Sequence, residues 1–288
     1  MKSLWQRAVG SLRDHPSLVA PVFGAALLSC GWGQVRFAFI HHLLPWMLTL
    51  HHEHSVLAGD IGSGIITPLQ SAVAYAASFI VSTACELFDV CGYFVAMLMT
   101  SALMQRLGLI QSGDTRLNPR RDGIAILRIS ALSFLLMYGS IVIVSFPGLY
   151  WLFHKSENTF RNNNILGIIA ATLGYIALAY FVAPMALKLL AKSGDNFVGP
   201  TEARLGRQCS LLAVLAVTSL SAIQLFVRLP SGADSAARTV FAVVSTIVVA
   251  LPYAPLFVTF GLIATTHRAS ESREGLEVEP SALDEPTP

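Results

Sequence analysis

Five uncharged apolar runs, each about 20 residues long or longer, constrain this chain more than any other feature. A helix rises about 1.5 Å per residue, so about 20 apolar residues cross a hydrocarbon core near 30 Å thick. Only 12% of the 288 residues are charged and 54% are hydrophobic, a balance that a soluble core does not absorb. We therefore predict an all-α, polytopic integral membrane helical bundle. The runs are residues 15–35, 129–153, 165–187, 208–227 and 240–264.

A further apolar region, residues 61–105, is interrupted only around Glu86 and Asp89 and crosses the membrane either once or as a hairpin. Short cytoplasmic loops are enriched in Lys and Arg. With one crossing, fourteen of the 19 basic residues fall on one side, whereas a hairpin moves the five arginines of 106–128 to the other side and removes the bias. We expect about six spans in the inner (plasma) membrane, with both termini cytoplasmic.

The two ends of the chain differ in charge. Residues 3–14 carry apolar and basic side chains in an order that suits an interfacial helix, although a frayed terminus fits equally well. Residues 268–288 hold six acidic residues and three prolines, a composition that cannot bury a core. The predicted organisation is a membrane helical domain over 1–267 and a disordered acidic cytoplasmic tail over 268–288.

The densest cluster of possible metal ligands follows the first span. It contains His41, His42, His51, His52 and His54. Imidazole is the commonest transition-metal ligand, so a metal site is one interpretation. Adjacent histidines diverge by about 100° on a helix, and no HExxH motif is present. A plain interfacial segment, with Trp46 at headgroup level, is the favoured interpretation, and we predict no cofactor.

Glu86 and Asp89 are the candidate intramembrane carboxylates. At positions i and i+3 they share one helix face with Tyr93. A carboxylate near the bilayer centre costs about 2.5 to 3.5 kcal/mol, so the pair would need a water-filled cavity, a cation or protonation. Such a pair suits proton or cation transfer; alternatively, both residues lie near an interface. The sequence offers no obvious ion-pair partner, because no Lys or Arg lies in the middle of another span.

Prolines and small residues mark the later spans. Pro184, Pro252 and Pro255 each remove a helical hydrogen bond, which produces either simple kinks or the broken helices of transporters. Two small-residue pairs, Gly167 with Ala171 and Ala170 with Gly174, permit close packing inside the bundle or against a partner subunit.

Known catalytic patterns are missing from the sequence. It has no GxxxxGK[ST] phosphate loop, no GxGxxG and no rhomboid-like GxSG. The four cysteines show no CxxC pair and are interpreted as small buried hydrophobes. A net charge of +2 is too small to indicate nucleic acid. We therefore name no catalytic residue, and enzymatic activity stays open, with a non-enzyme favoured.

Three stretches carry a family resemblance. They are SLRDHPSLVAPVF after Trp5, MQRLGLIQSGDTRLNPRRDGIAILRIS, and YFVAPMALKLLAKSGDNFVGPTEARLGRQ. Together they resemble uncharacterised prokaryotic six-helix membrane proteins, related in pattern to the membrane domain beside some glycerophosphodiester phosphodiesterases. The resemblance implies six helices and no known activity. It departs at Gly206, where such proteins commonly carry serine.

Basic links between spans are suited to anionic lipid headgroups. The predicted headgroup residues are Arg116, Arg120, Arg121, Lys192, Arg204 and Arg207. These links, the small-residue faces and the missing motifs favour a non-catalytic structural or accessory subunit that packs against lipid, partner subunits or other copies of itself. The alternative is a small transporter or channel that uses Glu86, Asp89 and the proline-broken helices.

Overall fold

A computed structural model describes residues 2–43, 68–110, 119–154, 159–191, 199–226 and 235–277. These residues are helical throughout, apart from short turns, and contain no strand. A 3-10 turn, Pro16–Val19, precedes α2, and a π-helical turn, Phe39–Leu43, follows it. The α-helices are α1 Lys2–Asp14, α2 Ala20–Ala38, α3 Pro68–Arg106, α4 Pro119–His154, α5 Thr159–Ala191, α6 Pro200–Phe226, α7 Ser235–Ala250 and α8 Tyr253–Glu277.

Five helical segments are long and apolar enough to cross a membrane. They are Pro16–Ala38, Ala76–Arg106, Asp122–Ser140, Thr172–Ala191 and Ala236–Thr265. The predicted all-α membrane bundle is therefore confirmed, with a span count close to the expected six. The predicted span at 208–227 lies almost wholly on α6, which is not among the five.

The region around Glu86 and Asp89 forms one continuous helix, not a hairpin. Helix α3 has 39 residues and passes through both carboxylates without a break. At about 1.5 Å per residue it is about 58 Å long, which exceeds the thickness of a hydrocarbon core. It ends at a glycine cap: Gly108 has a φ of 69°, and Leu109 N–H donates to the Met104 carbonyl over 2.9 Å. Over residues 68–106 the chain is thus one helix, as a single crossing requires.

Helix α8 is the hub of the bundle. It contacts α1, α3, α5 and α6, and its residues 256–261 are buried. Small residues bring neighbouring helices close together: a Cβ on Gly206 would lie 2.5 Å from Leu187 Cδ1, and one on Gly261 would lie 2.9 Å from Met104 Sδ. The core is therefore built from close helix approaches as well as from large apolar side chains.

Helix α1 packs on the bundle at one end, which we call the α1 side. Ala8 is fully buried and shares a cluster with Leu18, Met104 and Val258. The beginning of α2 and the end of α3 therefore lie together on the α1 side. The helix predicted at residues 3–14 is confirmed; its position at a membrane interface stays a prediction.

The prolines behave differently from one another. Pro184 lies inside α5, which continues past it to Ala191. At Leu251–Pro252 the chain makes a turn that separates α7 from α8 within one apolar segment. The last predicted span, 240–264, is therefore two helices rather than one. Across this break the Leu251 N–H donates to the Ile247 carbonyl over 3.1 Å, and the Ala254 N–H donates to the Leu251 carbonyl over 3.0 Å.

At the carboxyl end, α8 continues to Glu277, beyond the boundary predicted at residue 267. Residues 278–288 of the predicted acidic tail lie outside the described part of the chain.

Candidate functional site

A cavity of about 330 Å³ lies between α3, α4, α5, α6 and α8, and both candidate carboxylates line it. From α3 it takes Glu86, Asp89 and Tyr93, which follow one face of the helix at spacings of three and four residues. Two serines, Ser133 of α4 and Ser210 of α6, also line it. The remaining lining is mostly apolar and aromatic. A pocket of this size and character is at the small end of the range for small-molecule sites.

Glu86 has an ion-pair partner, which corrects the expectation that none was available. Arg36 Nη1 donates to Glu86 Oε1 over 2.9 Å, and the two side chains are 45% and 38% exposed. Arg36 follows Pro16 by 20 residues, and Glu86 precedes Arg106 by 20 residues, so each is about 30 Å from the α1 side. The pair therefore lies near the end of α2 that is opposite to the α1 side.

A second contact between α2 and α3 lies close to the Arg36–Glu86 pair. The rings of Trp32 and Phe88 stack with centroids 5.2 Å apart and planes 19° from parallel. The hydroxyl of Tyr138 on α4 lies within hydrogen-bonding reach of Glu86. Glu86 of α3 is thus neutralised by Arg36 of α2 and lies beside Tyr138 of α4, an arrangement that suits a structural contact between helices better than a free acid.

Asp89 lies one helical turn deeper and is bound differently. The Ser29 hydroxyl of α2 hydrogen-bonds the carboxylate. Its Oδ1 atom is buried and has no hydrogen-bond partner among the described residues. A buried acceptor without a donor is costly, and such groups are rare in folded proteins. Asp89 is therefore the member of the pair that retains an unused binding capacity.

Four aromatic residues line the cavity together with Asp89, and we call them the aromatic wall: Tyr93, Tyr175, Tyr253 and Phe257. Tyr93 and Tyr253 have ring centroids 5.1 Å apart, and Tyr253 and Phe257 have centroids 6.0 Å apart. The Tyr175 and Tyr253 hydroxyls hydrogen-bond to each other. Tyr253 is the first residue of α8, so the turn at Leu251–Pro252 positions it in the cavity. The sequence pointed to the prolines and to Tyr93, but not to Tyr175, Tyr253 or Phe257.

Pro184 creates a polar backbone group that a distant arginine satisfies. Without an N–H, Pro184 cannot bond the carbonyl of Tyr180, four residues earlier. Arg207 Nε of α6 donates to that carbonyl over 3.1 Å, and its guanidinium carbon lies 4.2 Å from the centre of the Tyr180 ring. Arg207 was predicted to bind lipid headgroups; the structure shows this contact instead, and headgroup binding stays a prediction.

The other predicted headgroup residues are spread over several segments. Arg204 is exposed on α6, and Arg120 and Arg121 lie in the first turns of α4. Arg116 and Lys192 lie outside the described residues.

The histidine cluster is only partly described. His41 and His42 lie in the π-helical turn after α2, and the Phe37 ring makes an edge contact with His42 at 6.3 Å. His51, His52 and His54 lie outside the described residues. Within the described ranges, no group of three or more His, Cys, Asp or Glu side chains is placed to hold a metal ion.

The fold and the cavity define the class: this is a multi-pass helical membrane protein with a partly polar cavity inside its bundle. Compared with known proteins, the chain matches no protein family, no curated protein and no solved structure. The resemblance to the membrane domain beside glycerophosphodiester phosphodiesterases therefore stays a prediction.

Proposed function

We propose that this protein is a small transporter whose substrate binds in the cavity beside Asp89. Asp89 carries the proposal, because the residue lines a cavity of about 330 Å³ and its buried Oδ1 has no hydrogen-bond partner in the described part of the chain. An intramembrane acid is costly to keep unless it has a use, and such residues mark ion and substrate pathways. A broken helix beside the site is a second feature that transporters share.

The accessory-subunit function predicted from the sequence has less support. That function is favoured partly by small residues on helix faces that could pack against a partner subunit. Ala170 is 2% exposed, and Gly174 is buried where a Cβ would lie 2.6 Å from Met137 Sδ and 2.7 Å from Ser140 Oγ. These two residues therefore serve the packing of α5 on α4 inside the bundle. Binding of partner subunits and of anionic lipid remain proposals that co-purification would test.

The proposed location is the inner (plasma) membrane, with both termini cytoplasmic. This orientation makes the α1 side cytoplasmic and puts Arg36 and Glu86 near the outer surface. Support comes from the basic residues that cluster at the α1 side. Cysteines placed in 114–122 should then react with a membrane-impermeant reagent only from the cytoplasmic side.

The transport proposal is tested by proton and monovalent-cation flux in proteoliposomes. Wild-type protein should conduct, and the double variant Glu86→Gln with Asp89→Asn should lose the flux, because amides keep the shape but cannot ionise. The matched control is Asp14→Asn, which removes an exposed carboxylate at the end of α1. Thermal melting of all three proteins separates lost activity from lost folding. Flux that survives both substitutions would reject the carboxylate mechanism, and an inactive wild type would reject transport of these ions.

A further inference from the structure

The charge and the walls of the cavity define a substrate class. Resting on the proposed function above, we propose that the cavity selects a small monovalent organic cation, with its ammonium group against Asp89 and the aromatic rings and its apolar body in the space beside those rings.

When Asp89 is ionised, its negative charge is the one in the lining that no other lining residue compensates. Glu86 is paired with Arg36, whereas Asp89 accepts only a neutral hydroxyl, that of Ser29. No Lys, Arg or His belongs to the lining of the cavity. A single cationic ligand in the cavity would neutralise the Asp89 carboxylate. An anionic ligand would add a second negative charge to a site of low dielectric, which is unfavourable.

The aromatic wall is suited to an organic cation. The ring centroid of Tyr253 lies 5.1 Å from that of Tyr93 on α3 and 6.0 Å from that of Phe257 on α8, and all three residues line the cavity. Aromatic faces attract ammonium groups, and groups of them form the cages that hold substituted ammonium ions. The alanines Ala179, Ala183 and Ala213 leave space for an apolar body beside these rings.

A bare divalent metal fits the site less well. Ca²⁺ takes six to eight oxygen ligands, and Mg²⁺ demands near-octahedral geometry. The lining provides two carboxylates, one of which is already paired with Arg36. Among the described residues no third acidic, His or Cys side chain joins them. The cavity thus combines little metal-binding capacity with much apolar surface.

The experiment compares two probes of matched shape, benzylammonium and benzyl alcohol, by calorimetric titration of the purified full-length protein at neutral pH. Wild-type protein should bind the cation at least about tenfold more tightly than the alcohol, because only the cation gains the carboxylate and the ring faces. Asp89→Asn should reduce that preference to roughly twofold or less, since the rings remain. Asp89→Glu should restore part of it, and Asp14→Asn should leave it unchanged.

A cavity-filling variant ties the binding to this site. Ala213 lines the cavity and is 2% exposed, so Ala213→Leu should weaken both probes without changing the charge. Its melting temperature, with those of the Asp89 variants, shows that each protein is folded.

The outcomes separate the substrate class from the transport proposal. Equal binding of both probes, sensitive to Ala213→Leu, would overturn cation selection and leave a binding cavity. Cation binding that survives Ala213→Leu and Asp89→Asn would place the site elsewhere and overturn the inference. No binding of either probe to the wild type would overturn it as well, whereas the transport proposal would still be decided by the proton and cation fluxes.

Discussion

Arg36 and Glu86 form an ion pair that could not be predicted from the sequence. Glu86 and Asp89 could be picked out from the sequence because charge is rare inside apolar runs. Their partners could not: Arg36 is 50 residues from Glu86, and hydropathy does not fix which faces of α2 and α3 meet. Glu86 and Asp89 are three residues apart on α3. Glu86 is paired with Arg36, whereas Asp89 has a buried oxygen without a hydrogen-bond partner among the described residues. The difference arises from tertiary packing, because it depends on which side chain of α2 lies opposite each carboxylate.

The first prediction concerns the Arg36–Glu86 pair. Each side chain is more than a third exposed, so the coupling between them should be modest, about 0.5 to 1 kcal/mol. Arg36→Gln and Glu86→Gln should each destabilise the protein, and the double variant should cost less than the two single costs combined. A double-mutant cycle of unfolding free energies in mixed micelles measures this. Strict additivity of the two costs would show that the pair contributes no coupling.

At the scale of elements, helix existence and approximate span position could be predicted, because apolar length alone requires them. The break at Leu251–Pro252 was not placed, since Pro184 has the same local sequence effect and leaves α5 continuous. The two prolines differ in what surrounds them. Arg207 of α6 donates to the carbonyl that Pro184 leaves free, which gives α5 a bond in place of the one it lost. A sequence shows that residue 180 needs a donor but not which helix supplies it.

The second prediction tests that replacement bond. Arg207→Ala should cost about 1 kcal/mol of unfolding free energy, because a charged donor and a cation–π contact are both lost. In a Pro184→Ala background the cost should fall, since the new N–H at position 184 can bond the Tyr180 carbonyl. Arg204→Ala, which removes an exposed arginine one turn away, is the matched control and should cost little in either background. An Arg207→Ala cost that is unchanged by Pro184→Ala would show that the arginine acts in another way.

For the whole molecule, the helices pack into a bundle. Its tightly packed core lies around α8, and the cavity lies beside that core. The core cluster contains Val22, Met97, Leu187 and Cys209, each 1% exposed or less. The sequence predicted the bundle and the single passage of α3, because length and charge bias constrain both. It did not predict the cavity, since Tyr175 and Tyr253 become neighbours only when α5 and α8 pack together.

If water and polar solutes reach the cavity inside the bundle, two positions on α6 should differ in their reactivity. Ala213 lines the cavity, whereas Leu215, two residues along the same helix, is 63% exposed on the outer face of the bundle, where lipid would cover it. Each is replaced by cysteine in a variant in which Cys30, Cys85, Cys91 and Cys209 are alanine.

The measurement is the rate at which a small hydrophilic thiol reagent, aminoethyl methanethiosulfonate, modifies each cysteine in proteoliposomes. Thiols react as thiolates, which require water. We expect Ala213→Cys to react at least about tenfold faster than Leu215→Cys, because lipid around position 215 excludes both water and the charged reagent. Equal rates, or faster reaction at Leu215→Cys, would contradict a water-accessible cavity and with it the site built around Asp89.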